Sequence, residues 1–288
     1  MKTFVRTIVC LVFCMGALCS HAKNYFQEGQ EALAAGNYAQ AFADFEAGAK
    51  DGDSDCCAKL GAMYFGLGVQ MDLSKARYWA QKGIESDPGN PRGYMVMGMS
   101  FVYDCDINTG KGAERGLPYH IKAYELKGND ANYQEDYINC AIQIATIYWS
   151  QGDRENEKLW LDRLVEDFPN SAEGLGMAGY MYLDLDEYDN AVRCATVADR
   201  KDNVYAAYVL GYCLAYGKGI STNQESAFKY MKKAALAGIP GGDPEYAFGT
   251  FYEFGIGTPK DINKAKYWYQ LSSQQNNQSA IERLNILQ

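Results

Sequence analysis

Histidine is nearly missing from this chain: His21 and His120 are the two it has in 288 residues. His21 falls in the leader described below, so a Ser–His–acid or Cys–His mechanism would rest on His120 alone. No nucleophile motif stands near it. A packing or helix-surface histidine is the reading expected, with general-base chemistry as the alternative. Basic residues are also in short supply. Lys and Arg number 27 against 36 Asp and Glu, a net charge of -9, whereas binding a phosphate backbone needs clustered cations. Nucleic acid is therefore not expected as a partner, and a cationic or neutral one is easier to accommodate. No Cys-x-x-Cys occurs, which removes a common spacing of structural zinc sites; no metal and no other cofactor is expected. Beyond residue 18 every apolar run is broken by charge or glycine, short of the roughly 20 residues that span a bilayer. Strand-like alternation is almost absent as well, which leaves an all-α chain.

The N-terminus reads separately. Lys2 and Arg6 precede an apolar run, 8–18, that gives way to Ser20-His21-Ala22. A basic start, a short apolar stretch and a small-x-small site predict a secretory signal peptide over 1–22. The expected product, 23–288, is exported, periplasmic or secreted, from a bacterium. Cys19 follows Gly16-Ala17-Leu18, a poor lipoprotein signal, so soluble export is favoured. Loss of Lys2 and Arg6 takes the net charge from -9 to -11. Cys56, Cys57, Cys105, Cys140, Cys194 and Cys213 remain, an even number that permits disulfides. Cys194 and Cys213 fall on consecutive antiparallel helices and are the leading pair; buried free thiols are the alternative.

What the chain does have is a pattern written twice. Gly61-x-x-Tyr64 leads to Gly66-x-Gly68-Val69, Asp72, Lys75-Ala76 and Trp79. Gly249-x-x-Tyr252 leads to Gly255-x-Gly257, Asp261, Lys264-Ala265 and Trp268-Tyr269. A recurring set of this kind marks a solenoid, in which each unit buries its apolar face only against its neighbours. Weaker copies span 25–45, 98–123, 145–168, 179–191 and 211–234, giving about seven helix-turn-helix repeats and a capping helix over 279–287. Gly61 and Gly249 leave room for a second helix, and Tyr64 and Tyr252, three residues on, share that face. Pro88, Pro169 and Pro244 fall between units, where helices stop or start.

At these residues a family resemblance is plain. Gly61-Ala62-Met63-Tyr64, Gly68-Val69, Asp72, Lys75-Ala76 and Trp79 resemble the Sel1-like repeat, as do 211–234 and, most fully, 249–269. Gly36-x-Tyr38-x-x-Ala41-x-x-x-Phe45 and Tyr188-x-x-Ala191 are similar to the related tetratricopeptide repeat. The resemblance implies an α-solenoid, a right-handed superhelix, over 23–288. It also implies an exported non-enzymatic scaffold that holds a protein or peptide on its concave face. In such solenoids the residues flanking the small packing position of each first helix line that face. Trp149, Tyr180, Tyr205, Tyr208, Tyr212 and Tyr246 are accordingly the partner-binding candidates, with packing between repeats as their other role. Two further readings stay open. Some cysteine-rich exported relatives bind or hydrolyse β-lactams, though with regular cysteine pairs that are absent here. A glycan is the other alternative, with the tyrosines stacking on sugar rings.

Two departures stand out: the Gly61 unit is one residue short between Tyr64 and Gly66, and the Gly98 unit carries an insertion over 104–116. The first predicts a different turn. The second is a binding loop or a tolerated excursion. Asp51-Gly52-Asp53-Ser54-Asp55 starts like a calcium loop, but Cys56 stands where Gly is required and Ala62 where Glu is. Cys56-Cys57 lacks zinc-ligand spacing. Gly66-x-Gly68 and Gly217-x-Gly219 follow no strand and read as turns, not phosphate loops. Asp184, Asp186, Glu187 and Asp189 have the chemistry of glycosidase carboxylates, yet repeat position puts them in a turn and a helix start, where acids suit the dipole.

Overall fold

The computed structural model describes residues 24–105, 111–128 and 130–287. The predicted leader, 1–22, and part of the insertion, 106–110, lie outside the described residues. Fifteen α-helices and two short 3-10 turns, with no strand, make up the regular structure among the described residues. The chain divides into two compact units at Cys105/Asp106. The first holds α1 (Tyr25–Ala34), α2 (Tyr38–Lys50), α3 (Ser54–Met63), α4 (Leu73–Ser86) and α5 (Pro91–Tyr103). The second opens with α6 (Leu117–Glu125) and continues through α7 (Gln134–Gln151), α8 (Arg154–Asp167), α9 (Ala172–Asp184) and α10 (Tyr188–Asp199). It closes with α11 (Val204–Tyr216), α12 (Gln224–Leu236), α13 (Asp243–Phe254), α14 (Ile262–Ser273) and α15 (Gln278–Ile286).

Helix starts are set by short polar side chains. Eleven of the fifteen N-caps are Asn, Asp or Ser whose side chain accepts a backbone N–H of the first turn; such a cap is worth about 1 kcal/mol over alanine. The recurring Asp72 and Asp261 are two of these caps, accepting from Lys75 N and Lys264 N at 3.0 Å. Asn223 does the same for Ser226 N. The two lysines share a second role, lying 5.3 Å from the rings of Tyr64 and Tyr252. Each of those tyrosines in turn packs on the preceding repeat, against Phe42 and Phe228. The written pattern is thus a packing pattern throughout.

The small residues work by close approach. A Cβ on Gly61 would stand 3.0 Å from Ala76 O, and one on Gly211 2.9 Å from Met231 N, so backbone meets backbone across the hairpin. At Gly29 and Gly249 an aromatic ring, Phe45 or Tyr269, fills the space instead. The second glycine of each Gly-x-Gly joins neighbouring repeats. Gly219 (φ +65°) lies under Tyr188 O and Gly257 (φ +65°) under Gln224 O, where an added Cβ would sit 2.6 and 2.0 Å from those carbonyls. Both Tyr188 and Gln224 open the second helix of the repeat before. The short Gly61 unit ends its helix early, at Met63, with Gly66 at φ +105°. It rejoins the common frame at Asp72, whose N–H donates to Tyr64 O at 2.9 Å, as Asp261 donates to Tyr252 O.

All six described cysteines are free thiols. Of the two readings for Cys194 and Cys213, the buried free thiols are what is found: Cys194 turns back into its own hairpin, its Cβ close to Gly179. Burial pushes the Cys194 thiol up to about 11 and that of Cys213 to about 12, so both are inert at neutral pH. The Asp51–Asp55 loop spends its carboxylates on a cap, Asp53 to Cys56 N at 2.8 Å, and on an ion pair, Asp55 with Arg92 at 3.0 Å. At the other end α15 is pinned by one carboxylate. Glu253 accepts from Tyr269 Oη at 2.7 Å and from Arg283 Nε at 2.9 Å, while Ala280 is fully buried.

Candidate binding groove

In the second unit α7 packs on α9 and α9 on α11, so the first helices of successive repeats lie side by side. Residues one after and three before a packing glycine share the free face of such a helix. Gly179 thus presents Tyr180, Gly211 presents Tyr208 and Tyr212, and Gly249 presents Tyr246. Trp149 comes from the last turn of α7. These five side chains line one groove of about 590 Å³, with Met177, Met181, Leu183, Thr146, Asp184, Asp243 and Ser279, a volume in the range of ligand sites. Tyr205 is not in the lining. Its ring stands against Tyr180, with centroids 5.6 Å apart at 66°.

Tyr180 organises the wall. It also packs on Tyr208, at 5.5 Å, and its hydroxyl donates to Asp243 Oδ2 at 2.7 Å. Burial, then the bond to Asp243, drives the Tyr180 hydroxyl far above the ordinary tyrosine range, so it stays a donor. Burial raises Tyr208 in the same way. At the other end Trp149 Nε1 donates to Asp184 Oδ2 at 2.8 Å, and Arg154 pairs with the same oxygen. Arg154 also reaches Glu157 at 3.0 Å, whose side chain is fully buried and whose Oε1 has no hydrogen-bond partner. Burial raises the Glu157 carboxyl, and Arg154 works against that rise. Arg154→Met should therefore strand a buried carboxyl and cost about 1–2 kcal/mol. Urea unfolding checks this, and Glu157→Gln in the same background should recover most of the loss.

Asp184 and Asp243 join the lining beside the aromatic residues that the repeat register points to. A signal was present: Asp243 stands six residues before Gly249, as Tyr205 stands six before Gly211. The acids following Asp184 take separate partners: Asp186 accepts from Tyr188 Oη, Glu187 from Asn190 Nδ2, and Asp189 lies in the first turn of α10. They form no facing carboxylate pair. His120, on α6, lies outside the groove lining and is fully buried. Desolvation lowers its pKa to about 4. Among the described residues no group of three His, Cys, Asp or Glu side chains is placed to hold a metal, and no helix is long and apolar enough to cross a membrane. The groove offers rings, two thioethers and two carboxylates, which suits recognition.

The Sel1 repeat, as a sequence family, matches residues 54–88, 204–239 and 245–277. Three segments of the chain thus match the Sel1 repeat. Among solved structures, a protective antigen present in uropathogenic Escherichia coli strains, displaying an SLR fold, is similar at TM-score 0.69 and 22% identity. The match covers 93% of this chain and 57% of that one. A Sel1 repeat protein from Oxalobacter formigenes is similar at TM-score 0.63 and 22% identity, over 86% of this chain and 99% of that one. These likenesses show the fold, an all-α array of helical hairpins. Among curated proteins, a chitin synthase regulator of Malassezia restricta is 30% identical over 183 residues, 46% of this chain and 12% of that protein. A Sel1-like repeat-containing protein of Schizosaccharomyces pombe is 22% identical over 263 residues, 76% of this chain and 39% of that protein. The chain spans well under half the length of either. Its Sel1 segments at 204–239 and 245–277 contribute the α11 and α13 walls of the groove.

Proposed function

We propose that this protein is an exported, non-enzymatic scaffold that holds a protein or peptide segment in the groove of its second unit. One observation carries the reading: Trp149, Tyr180, Tyr208, Tyr212 and Tyr246 come from four successive first helices and line a single depression. Tyrosine and tryptophan supply rigid apolar area with a polar edge, the chemistry that dominates protein interfaces. They are mounted on packed helices, so little ordering entropy is lost on binding. One relative, similar over 46% of this chain, is by name a chitin synthase regulator. Export rests on the sequence of 1–22.

Selection of a random twelve-residue peptide library against the purified protein tests the proposal. Enriched peptides should bind at least tenfold more weakly to Tyr208→Ala/Tyr212→Ala, a loss of about 1.4 kcal/mol or more. Folding of that variant is verified by its helical circular dichroism. No enriched peptide, or only peptides indifferent to both tyrosines, would overturn the reading. So would a glycan-array signal abolished by Tyr212→Ala in the absence of peptide binding. Turnover of a chromogenic β-lactam would overturn its non-enzymatic part.

A further inference from the structure

The charges of the groove are unevenly answered. Its lining holds two carboxylates, Asp184 and Asp243, and no lysine or arginine. Asp184 already has a cation, Arg154. Asp243 does not. Its Oδ2 accepts from the Tyr180 hydroxyl at 2.7 Å and its Oδ1 from the Asn277 side-chain amide at 2.8 Å, both neutral donors. Among the described residues no ion pair is formed by Asp243. The Asn277 and Tyr180 bonds fix the carboxylate in place without cancelling its charge. Around it stand the half-buried rings of Tyr180, Tyr208 and Tyr246. Aromatic faces carry negative potential and attract ammonium and guanidinium groups, more strongly where water is thinned out. A fixed, unpaired carboxylate beside three such rings is complementary to one kind of head group.

We infer that the groove selects peptide segments carrying a lysine or arginine whose cationic head seats at Asp243 among Tyr180, Tyr208 and Tyr246. This rests on the peptide-binding reading above and narrows it. Met177, Met181 and Leu183, also in the lining, receive the apolar residues that flank the basic one; methionine adapts to varied shapes. The chain's net charge of -9 steers basic segments toward the protein and makes their capture salt-dependent.

The test uses the full mature protein and the peptides enriched in the selection. Those peptides should be rich in lysine or arginine. Replacing the critical basic residue by norleucine or citrulline should weaken binding about tenfold. Asp243→Asn, which keeps the size of the side chain and its acceptor for Tyr180, should weaken the parent peptide by a similar factor and leave the neutral analogue unchanged. Peptides that depend on Tyr208 and Tyr212 yet show no preference for cations, or bind Asp243→Asn undiminished, would overturn this inference and leave the peptide reading standing. No groove-dependent peptide at all would overturn both. The peptide-side replacements need no protein variant, so a misfolded Asp243→Asn would not block the test.

Discussion

Gly257→Ala should lower the stability of the second unit by about 3–4 kcal/mol, the largest effect expected of any single methyl group added to it. Two costs add. An L-residue held at φ +65° pays about 1–2 kcal/mol for the left-handed conformation. The new Cβ would also stand 2.0 Å from Gln224 O, a carbonyl of the neighbouring repeat's backbone that no rotamer change can move. The turn must therefore lift off the start of α12, opening packing between two repeats. Gly238→Ala separates the terms, because Gly238 has φ +70° with nothing within 4 Å of an added Cβ. It should cost only the conformational part, about 1 kcal/mol. Urea unfolding of both variants is the measurement. Equal losses would show that close approach at Gly257 carries no weight.

The second large effect is a dependence on pH. His120 is fully buried and neither ring nitrogen has a hydrogen-bond partner, so burial lowers its pKa from 6.5 to about 4. At pH 7 the imidazole is neutral in the folded chain and mostly neutral in the unfolded one, so proton linkage contributes little. As pH falls below about 6.5 the unfolded chain takes up a proton that the folded one refuses, and stability drops. The fall continues to about pH 4, at up to 1.4 kcal/mol per unit, and totals about 3 kcal/mol. Below that pH both states are protonated and this contribution levels off. His120→Leu removes it. Unfolding of wild type and His120→Leu at about pH 7, 5.5 and 4 should show the gap widening in favour of the variant by about 3 kcal/mol. Carboxylates such as Glu253, lowered by Arg283, also lose stabilisation in acid, but equally in both proteins. Parallel pH profiles would refute the assignment.

The fold was largely readable because its signals are local. Asp72 and Asp261 recur because a helix start needs an acceptor, and Gly61 and Gly249 because a helix or a ring comes too close for a side chain. The capping helix expected over 279–287 is found at Gln278–Ile286. Carrying the packing register from repeat to repeat was enough to bring Trp149, Tyr180, Tyr208, Tyr212 and Tyr246 to one lining, since that register is what fixes the free face of each first helix. Properties that depend on side-chain direction were less accessible. Tyr205 satisfies the same rule loosely, yet its ring is spent on Tyr180. Asp243 carries no aromatic signal, and only its register before Gly249 marks it as a groove residue. Adjacency of two helices suggested a Cys194–Cys213 bridge, but sequence spacing does not say which way a thiol faces. The sequence points to His120 as a packing residue, and the structure gives it full burial; that both its nitrogens lack partners depends on tertiary neighbours that no motif encodes.

The glycine contacts at Gly219 and Gly257 separate the frame from the groove. Where neighbouring repeats meet through bare main chain, their spacing does not depend on the volume of any variable residue. The groove rings are packed as well, Tyr208 on Tyr180 and Tyr246 on Tyr269, but none of them stands at these glycine seams. Exchange of Tyr208, Tyr212 or Tyr246 would remove ring contacts of the groove wall while leaving the main-chain seams at Gly219 and Gly257 in place. The distance between repeats is then set by main chain at Gly219 and Gly257, and the chemistry of the groove by side chains that stand elsewhere.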